Sequence, residues 1–304
     1  MAVELGKLDT EQRNPRTGRI DTLSTPEMVA LINSEDHRCA EAVREVLPEI
    51  AQSIDAIYEK VHAGGRLFYC GAGTSGRLGV LDAAECPPTY GVDPGLVVGL
   101  IAGGPPAFLT AVEGAEDSRE LGAQDLKDHG FSAADALVGI AASGRTPYVI
   151  GAMDYARSLG APVMALVCCR GSEMARHADI TIAPLPGPEV VTGSSRMKSG
   201  TCQKLVLNMI STAVMIKMGK VYGNLMVDVK PTNAKLVHRA VSIVCQATGA
   251  SEAVARETLD RCGFHCKTAI VMLLLGLDDA AARQALDAAD GRIARALEQH
   301  GGKE

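Results

Sequence analysis

The chain has 304 residues, enough for one large α/β domain or a main domain with an appendage, and 47% of them are apolar although only 3% are aromatic and Trp is absent. A core built from Ala, Val, Leu, Ile and Met follows, and the net charge of -6 excludes a general attraction to nucleic acid or to an anionic membrane surface. No apolar run reaches the roughly 18 to 20 residues of a membrane span, and the opening MAVELGKLDTEQRNPRTG lacks the apolar stretch of a signal peptide, so a cytoplasmic protein with nine reduced cysteines is expected.

In chain order, Ser24, Thr25 and Pro26 supply a cap and a first-turn proline for a helix through Leu31, and Ala40 to Val61 carries apolar residues at helical spacing. From Arg66 the pattern changes to short apolar runs closed by Gly, Ser or Pro: RLFYCG, LVVGLIAGG, ALVGIAAS, PVMALVC and DITIAP. Separated by helix-length segments, these predict five buried parallel strands with crossover helices. After Pro231 come amphipathic segments only: TNAKLVHRAVSIVCQAT, SEAVARETLDRC, FHCKTAIVMLLLG, DDAAARQALDAA and DGRIARALEQ. They predict a small helical domain over 231–304, behind a helical segment over 1–60 and an α/β domain over 61–230. Cys262, His265 and Cys266 are the one local cluster of metal-ligand types, and without a second pair they are expected to be buried helix residues rather than a metal site.

The stretch FYCGAGTSGRLG fits G-x-G-x-x-G through Gly71, Gly73 and Gly76, between a strand and a helix. A helix start with exposed amides attracts an anion. A dinucleotide site would also need an acid after the second strand for the ribose hydroxyls. Here that strand runs into Ala102, Gly103, Gly104, Pro105 and Pro106, which cannot hold a ribose. Instead the loop offers Gly73, the hydroxyls of Thr74 and Ser75, and the cation Arg77, a set suited to a compact phosphate. A second such loop, Ser143, Gly144, Arg145 and Thr146, follows the third strand, and two neighbouring loops can close around one phosphate at a switch in strand order. A third segment, VVTGSSRMKSGT, places Ser194, Ser195, Arg196 and Lys198 before a long apolar helix; it either completes an anion site or is a capped, solvated basic turn.

GAGTSGR together with ASGRT resembles the sugar isomerase (SIS) domain, which implies a three-layer α/β/α fold with a five-stranded parallel sheet that binds phosphosugars. GAGTSGRLGVLDAAECPPTYGV, AVEGAEDS, GIAASGRTPYV and EVVTGSSRMKSGTCQKLVLNM, with TEQRNP near the start and GNLMVDV later, resemble the bacterial N-acetylmuramic acid 6-phosphate etherases. The closing helices resemble a small all-α, ubiquitin-associated-like (UBA-like) fold. The resemblance implies cleavage of a D-lactyl ether by elimination and hydration, with neither metal nor other cofactor. It also implies that Glu85, in ECPPTYG, and Glu116, in EGAED, are the functional carboxyls, Glu85 being the proton donor to the lactyl oxygen and Glu116 the base at C2.

The residues are compatible with those roles. Pro87 disfavours helical geometry at Cys86, so the helix from Gly76 is expected to end near Ala84 or Glu85, where the negative end of the dipole favours a neutral acid. The alternative for Glu85 is an ordinary exposed loop carboxylate. Glu116 stands among Glu113, Asp117 and Glu120, and the pattern of the four acids equally suits a solvated helix face.

A continuous helix from Gly76 to Glu85 would span roughly 14 Å, too far for one hexose to bridge. Either the helix breaks near Gly79, or Glu85 serves the partner's site in a homodimer whose sites lie near the subunit interface, as SIS domains resemble one another in dimerising. Two rival functions remain: a sugar-phosphate aldose-ketose isomerase, which needs no acid for a leaving group at C3, and a phosphosugar-sensing regulator, which needs no acid and base at all.

Overall fold

A computed structural model describes residues 11–229 and 233–301. Thr10, which opens the TEQRNP string, and Pro231, where the composition shifts, lie outside the described residues. The chain divides into two compact units: one runs through Ala84 and resumes over Pro94–Ser211, and the other comprises Glu85–Asp93 and the chain from Thr212 onward.

The first unit opens with two helices, α1 (Thr25–Arg44) and α2 (Leu47–His62). The first is longer than the expected segment through Leu31, and the predicted helix over 40–61 is divided between the two. Its start is capped reciprocally, because the Ser24 amide donates to the Glu27 carboxylate at 2.9 Å. Pro48 stands in the first turn of α2, where a missing amide hydrogen costs least.

All five predicted strands are present: β1 (Leu67–Gly71), β2 (Val97–Ile101), β3 (Ala136–Ile140), β4 (Val163–Leu166) and β5 (Ile180–Ile182). They form one parallel sheet in the order β2-β1-β3-β4-β5, with Gly71 opposite both Ile101 and Ile140. Strands this buried need no polar alternation, and every residue of β1, β3 and β4 is buried.

Helices α4 (Arg119–Asp128) and α5 (Pro147–Ser158) cover the face to which Phe68 and Cys70 point. The opposite face, that of Tyr69, is met by α3 (Gly73–Tyr90), where a side chain on Gly79 would come within 2.9 Å of Tyr69 Cβ. The amino-terminal ends of β1 and β3 are fastened by Asp135, which is 2% exposed. Its carboxylate accepts from the Arg66 amide, Nε and Nη2 and from the Ser132 amide at 2.9 to 3.1 Å.

Helix α6 (Lys198–Lys217) continues into the second unit. That unit then holds an antiparallel hairpin, β6 (Val221–Tyr222) with β7 (Leu225–Met226), and the five predicted helices: α7 (Ala234–Thr248), α8 (Glu252–Arg261), α9 (Cys266–Leu275), α10 (Asp279–Ala288) and α11 (Ile293–Gln299). Side chains of Asn233, Ser251 and Asp278 accept first-turn amides of α7, α8 and α10, and Gly249 and Gly276 close α7 and α9 in left-handed geometry. Val244, Leu259, Ile270 and Ala296 form its core. Among the described residues no helix is long and apolar enough to cross a membrane.

Candidate functional site

The three glycines of the first loop do two different jobs. A side chain on Gly71 would sit 2.7 Å from the Gly76 amide nitrogen, and one on Gly76 would sit 2.6 Å from the Gly71 carbonyl oxygen, so these two let strand and helix backbones touch. Gly73 has φ of +52° and open space where a side chain would be, which turns the chain into α3 and leaves its backbone accessible. The loop leaves β1 beside β3, the point from which the sheet extends in both directions, and ligands of open α/β sheets bind beyond the strand ends at such a point.

At this end of the sheet lies a cleft of about 190 Å³ whose lining includes Gly73, Arg77, Val112, Glu113 and Glu116. It discriminates among four acids that the sequence leaves equivalent, since Asp117 and Glu120 are not in its wall. The four do not share a helix: Glu116 and Asp117 lie in a 3-10 turn, Ala115–Asp117, and Ser118 caps α4, to which only Glu120 belongs. Arg77 lines the cleft while donating from Nε to the Phe108 carbonyl at 2.8 Å and from Nη2 to the Ala107 carbonyl at 2.9 Å. These bonds hold the segment between β2 and Glu116 against the start of α3.

The second loop, Ser143 to Thr146, leaves β3 at the same level. Gly144 has φ of +61°, and a side chain there would meet Ser172 Cβ at 2.4 Å, so the turn requires glycine. The loop is held by the segment after β4, where the Cys169 thiol donates to the Ser143 carbonyl at 3.0 Å and the Cys168 amide to the Ala142 carbonyl at 2.9 Å. Arg145 is half-buried and forms no ion pair with a described residue.

The third segment meets the first loop directly. Ser75, 7% exposed, donates to Oε1 of Gln203, 1% exposed, at 2.9 Å, and Thr74 Cγ2 lies beside Gly200. Ser194 and Ser195 are half-buried and Arg196 is exposed. Lys198 is otherwise engaged: fully buried, it donates from Nζ to Glu35 Oε2 at 2.6 Å and to the Pro186 carbonyl at 3.1 Å. Glu35 also accepts from Asn14 Nδ2 at 2.8 Å and pairs with Arg16 at 3.2 Å. Burial pushes the Glu35 carboxyl up, but these bonds and the charges of Lys198 and Arg16 outweigh it and hold the group below the usual carboxylate range.

The α6 start is likewise taken, because Glu189 accepts the amides of Lys198 and Ser199 at 2.9 Å each. The basic appearance of this segment in sequence therefore overstates the positive charge it offers a ligand. Gln203 escaped sequence reading because it lies a full turn inside an apolar helix; its only signal is a polar residue on a face that otherwise reads as core.

Glu85 falls in the second unit and is exposed. Contrary to the expected stop near Ala84, α3 continues through Pro87 and Pro88 to Tyr90, where Gly91 turns with φ of +64°. Proline fits helical φ; what it removes is one amide hydrogen and some clearance, and two adjacent prolines in a final turn leave the helix behind them to be carried by packing, as at buried Cys86. An end at Tyr90 places Glu85 more than one turn before the helix terminus, instead of at it as expected.

In the same unit, Cys262 donates from Sγ to the His265 carbonyl, and burial pushes the Cys266 thiol up to about 12. Among the described residues no three His, Cys, Asp or Glu side chains are grouped to hold a metal.

A doubly wound parallel sheet with two hydroxyl-bearing glycine loops at its switch point is an SIS-domain architecture, and residues 127–213 match the SIS domain family. Residues 49–157 match the N-terminal SIS domain of glucokinase regulatory protein, and residues 223–272 match that protein's C-terminal lid domain.

Over nearly its whole length the chain is similar to proteins named N-acetylmuramic acid 6-phosphate etherase. The protein from Aliivibrio fischeri (strain MJ11) is 60% identical over 297 residues, 98% of this chain and 99% of that one. The Klebsiella aerogenes protein is 57% identical over 297 residues, covering 98% and 99%. N-acetylmuramic acid 6-phosphate etherase 1 of Vibrio cholerae is 58% identical over 299 residues, covering 98% and 100%. The chain belongs to the N-acetylmuramic acid 6-phosphate etherase family.

Proposed function

We infer that this protein cleaves the D-lactyl ether of N-acetylmuramic acid 6-phosphate, a carbon-oxygen lyase reaction giving N-acetylglucosamine 6-phosphate and D-lactate in cytoplasmic amino-sugar recycling. The observation that carries the reading is the cleft in which Glu116 stands with Gly73 at the mouth of the first glycine loop. The phosphate is held by that loop and by Ser143, Gly144, Arg145 and Thr146, with Ser194, Ser195 and Arg196 alongside. The proposed phosphosugar-binding part lies within residues 61–230, with a lead-in over 1–60 and a further domain over 231–304.

In the open-chain sugar the hydrogen at C2 is acidified by the neighbouring aldehyde. The Glu116 carboxylate takes that proton, and the electron pair forms an enolate. As the enolate collapses, the C3–O bond breaks and the departing lactyl oxygen takes a proton from Glu85. Water then adds at C3 of the unsaturated aldehyde, with the C2 proton restored. Each well-placed acid or base contributes roughly 10² to 10⁴ in rate.

Incubation with N-acetylmuramic acid 6-phosphate in labelled water tests the reading: D-lactate appears, with solvent hydrogen at C2 and solvent oxygen at C3 of the sugar. Isomerised sugar phosphate without lactate would establish the isomerase instead.

Glu85 acts across a homodimer. Helix α3 passes through Gly79 without a break, so Gly76 and Glu85 stand roughly 14 Å apart along one axis. Leu81 and Leu109, 48% and 87% exposed, supply apolar surface for a second copy. Mixing inactive Glu85→Ala chains with inactive Ser75→Ala chains is expected to recover activity; inactive mixed dimers would mean that each chain uses its own Glu85.

A further inference from the structure

The Ser75 hydroxyl has one proton, and in this structure it goes to Gln203 Oε1 at 2.9 Å. A phosphate dianion offers acceptors only, so with that arrangement it would meet a lone pair on Ser75 rather than a hydrogen. The other end of the same amide is anomalous too. Gln203 is 1% exposed, and its Nε2 is buried without a hydrogen-bond partner, a condition buried amides rarely keep. One rotation reverses the first and gives Nε2 a partner, with Oε1 taking its former place. A half-turn of the Gln203 amide about its last side-chain bond exchanges oxygen and nitrogen at almost constant shape. Nε2 then donates to Ser75 Oγ, and the hydroxyl proton is released.

We propose that Gln203 is the positioning residue that sets the polarity of Ser75: its amide turns when phosphate enters, so that Ser75 donates to the ligand while accepting from Nε2. The proposal rests on the reading of Ser75 as a phosphate ligand. Gln203 itself touches Ser75 and not the substrate. Its place in the first turns of α6 explains why the third segment is packed on the first loop through this pair.

Gln203→Glu tests it at a pH high enough to ionise the introduced carboxyl, because an ionised carboxylate only accepts and keeps the Ser75 proton in either orientation. The measurement is the affinity of the full-length protein for N-acetylglucosamine 6-phosphate by titration calorimetry, in the wild-type and Ser75→Ala backgrounds. The expected loss for Gln203→Glu is tenfold or more with Ser75 present and under threefold without it, since a carboxylate with no hydroxyl to capture retains only its distant charge. Equal losses in both backgrounds, or no loss in either, would overturn the proposal while leaving the phosphate reading intact.

A Ser75→Ala protein that binds as tightly as wild type would instead remove the phosphate reading, and the proposal with it. Gln203→Met provides the check should the charged variant fail to fold. It frees the hydroxyl without binding it, so affinity is expected within threefold of wild type. A Met variant as weak as Ser75→Ala would show that Gln203 acts by packing alone.

Discussion

The two ends of β1 and β3 are built from the same strands on opposite principles. At the amino ends every charge is matched: Asp135 accepts from three groups of Arg66 and from Ser132, and the Arg66 guanidinium also reaches the carbonyls of His129 and Gly130 at 3.0 and 2.7 Å. At the carboxyl ends stand a glycine turn, hydroxyls, an unpartnered amide nitrogen and, in Arg145 and Arg196, cations with no described counter-ion. A fold fastened at one end can leave polar groups underused at the other. In the proposed function those groups are the ligand site, because a ligand would complete them.

The largest effect expected from breaking this contrast is at Glu116. Glu116→Gln keeps the size of an exposed side chain and removes the proposed base, so kcat is expected to fall about 10²- to 10⁴-fold with the melting temperature unchanged. Glu113→Gln is the control, because Glu113 lines the same cleft without an assigned proton transfer. An equal loss there would mean that the acids act through their summed charge.

Lys198 comes next and sharpens the comparison, because it is a cation near the ligand end that is already matched. Lys198→Met leaves Glu35 buried with only Arg16 as its cation, so unfolding stability is expected to drop by about 3 to 5 kcal/mol in urea titrations. The folded fraction should bind N-acetylglucosamine 6-phosphate as wild type does. Lost affinity at unchanged stability would return Lys198 to the site.

Much of this was legible in sequence. The five strands and five closing helices were marked by apolar runs and amphipathic spacing, which are local signals; the caps Asn233, Ser251 and Asp278 are equally local but emerged only in the structure. The two glycine loops were readable because special backbone geometry needs special residues. Where reading failed, a distant partner decided. Lys198 looks like a ligand cation until Glu35, 163 residues away, is beside it, and Gln203 looks like core until Ser75 is. Pro87 ends a helix in isolation, yet α3 runs on to Tyr90. Among the four acids from Glu113 to Glu120, spacing alone chooses none; the resemblance points to Glu116, and the cleft wall sets Glu113 and Glu116 apart from Asp117 and Glu120.

The smallest expected effect is acid sensitivity at the fastened end. Burial alone would push Asp135 up, but the hydrogen bonds and charge of Arg66 and the Ser132 amide outweigh it and hold the carboxyl below its ordinary value. A carboxyl depressed in the folded state binds its proton more readily when unfolded, so it contributes stability above the unfolded value near 3.9 and loses it as pH falls toward the folded one. Wild-type stability is therefore expected to hold between pH 7 and about 5 and to decline from about pH 4 downward, with Glu35 adding to the slope.

Asp135→Asn should cost about 2 to 3 kcal/mol at neutral pH, because an amide group would turn a donor toward donors. It should also flatten the acid limb, since the group that titrates is gone. Urea midpoints at pH 7, 5 and 3 measure both. An Asn variant with the full wild-type acid slope would show that Asp135 is not protonated on unfolding, and that the fastening depends on its hydrogen-bond pattern rather than its charge.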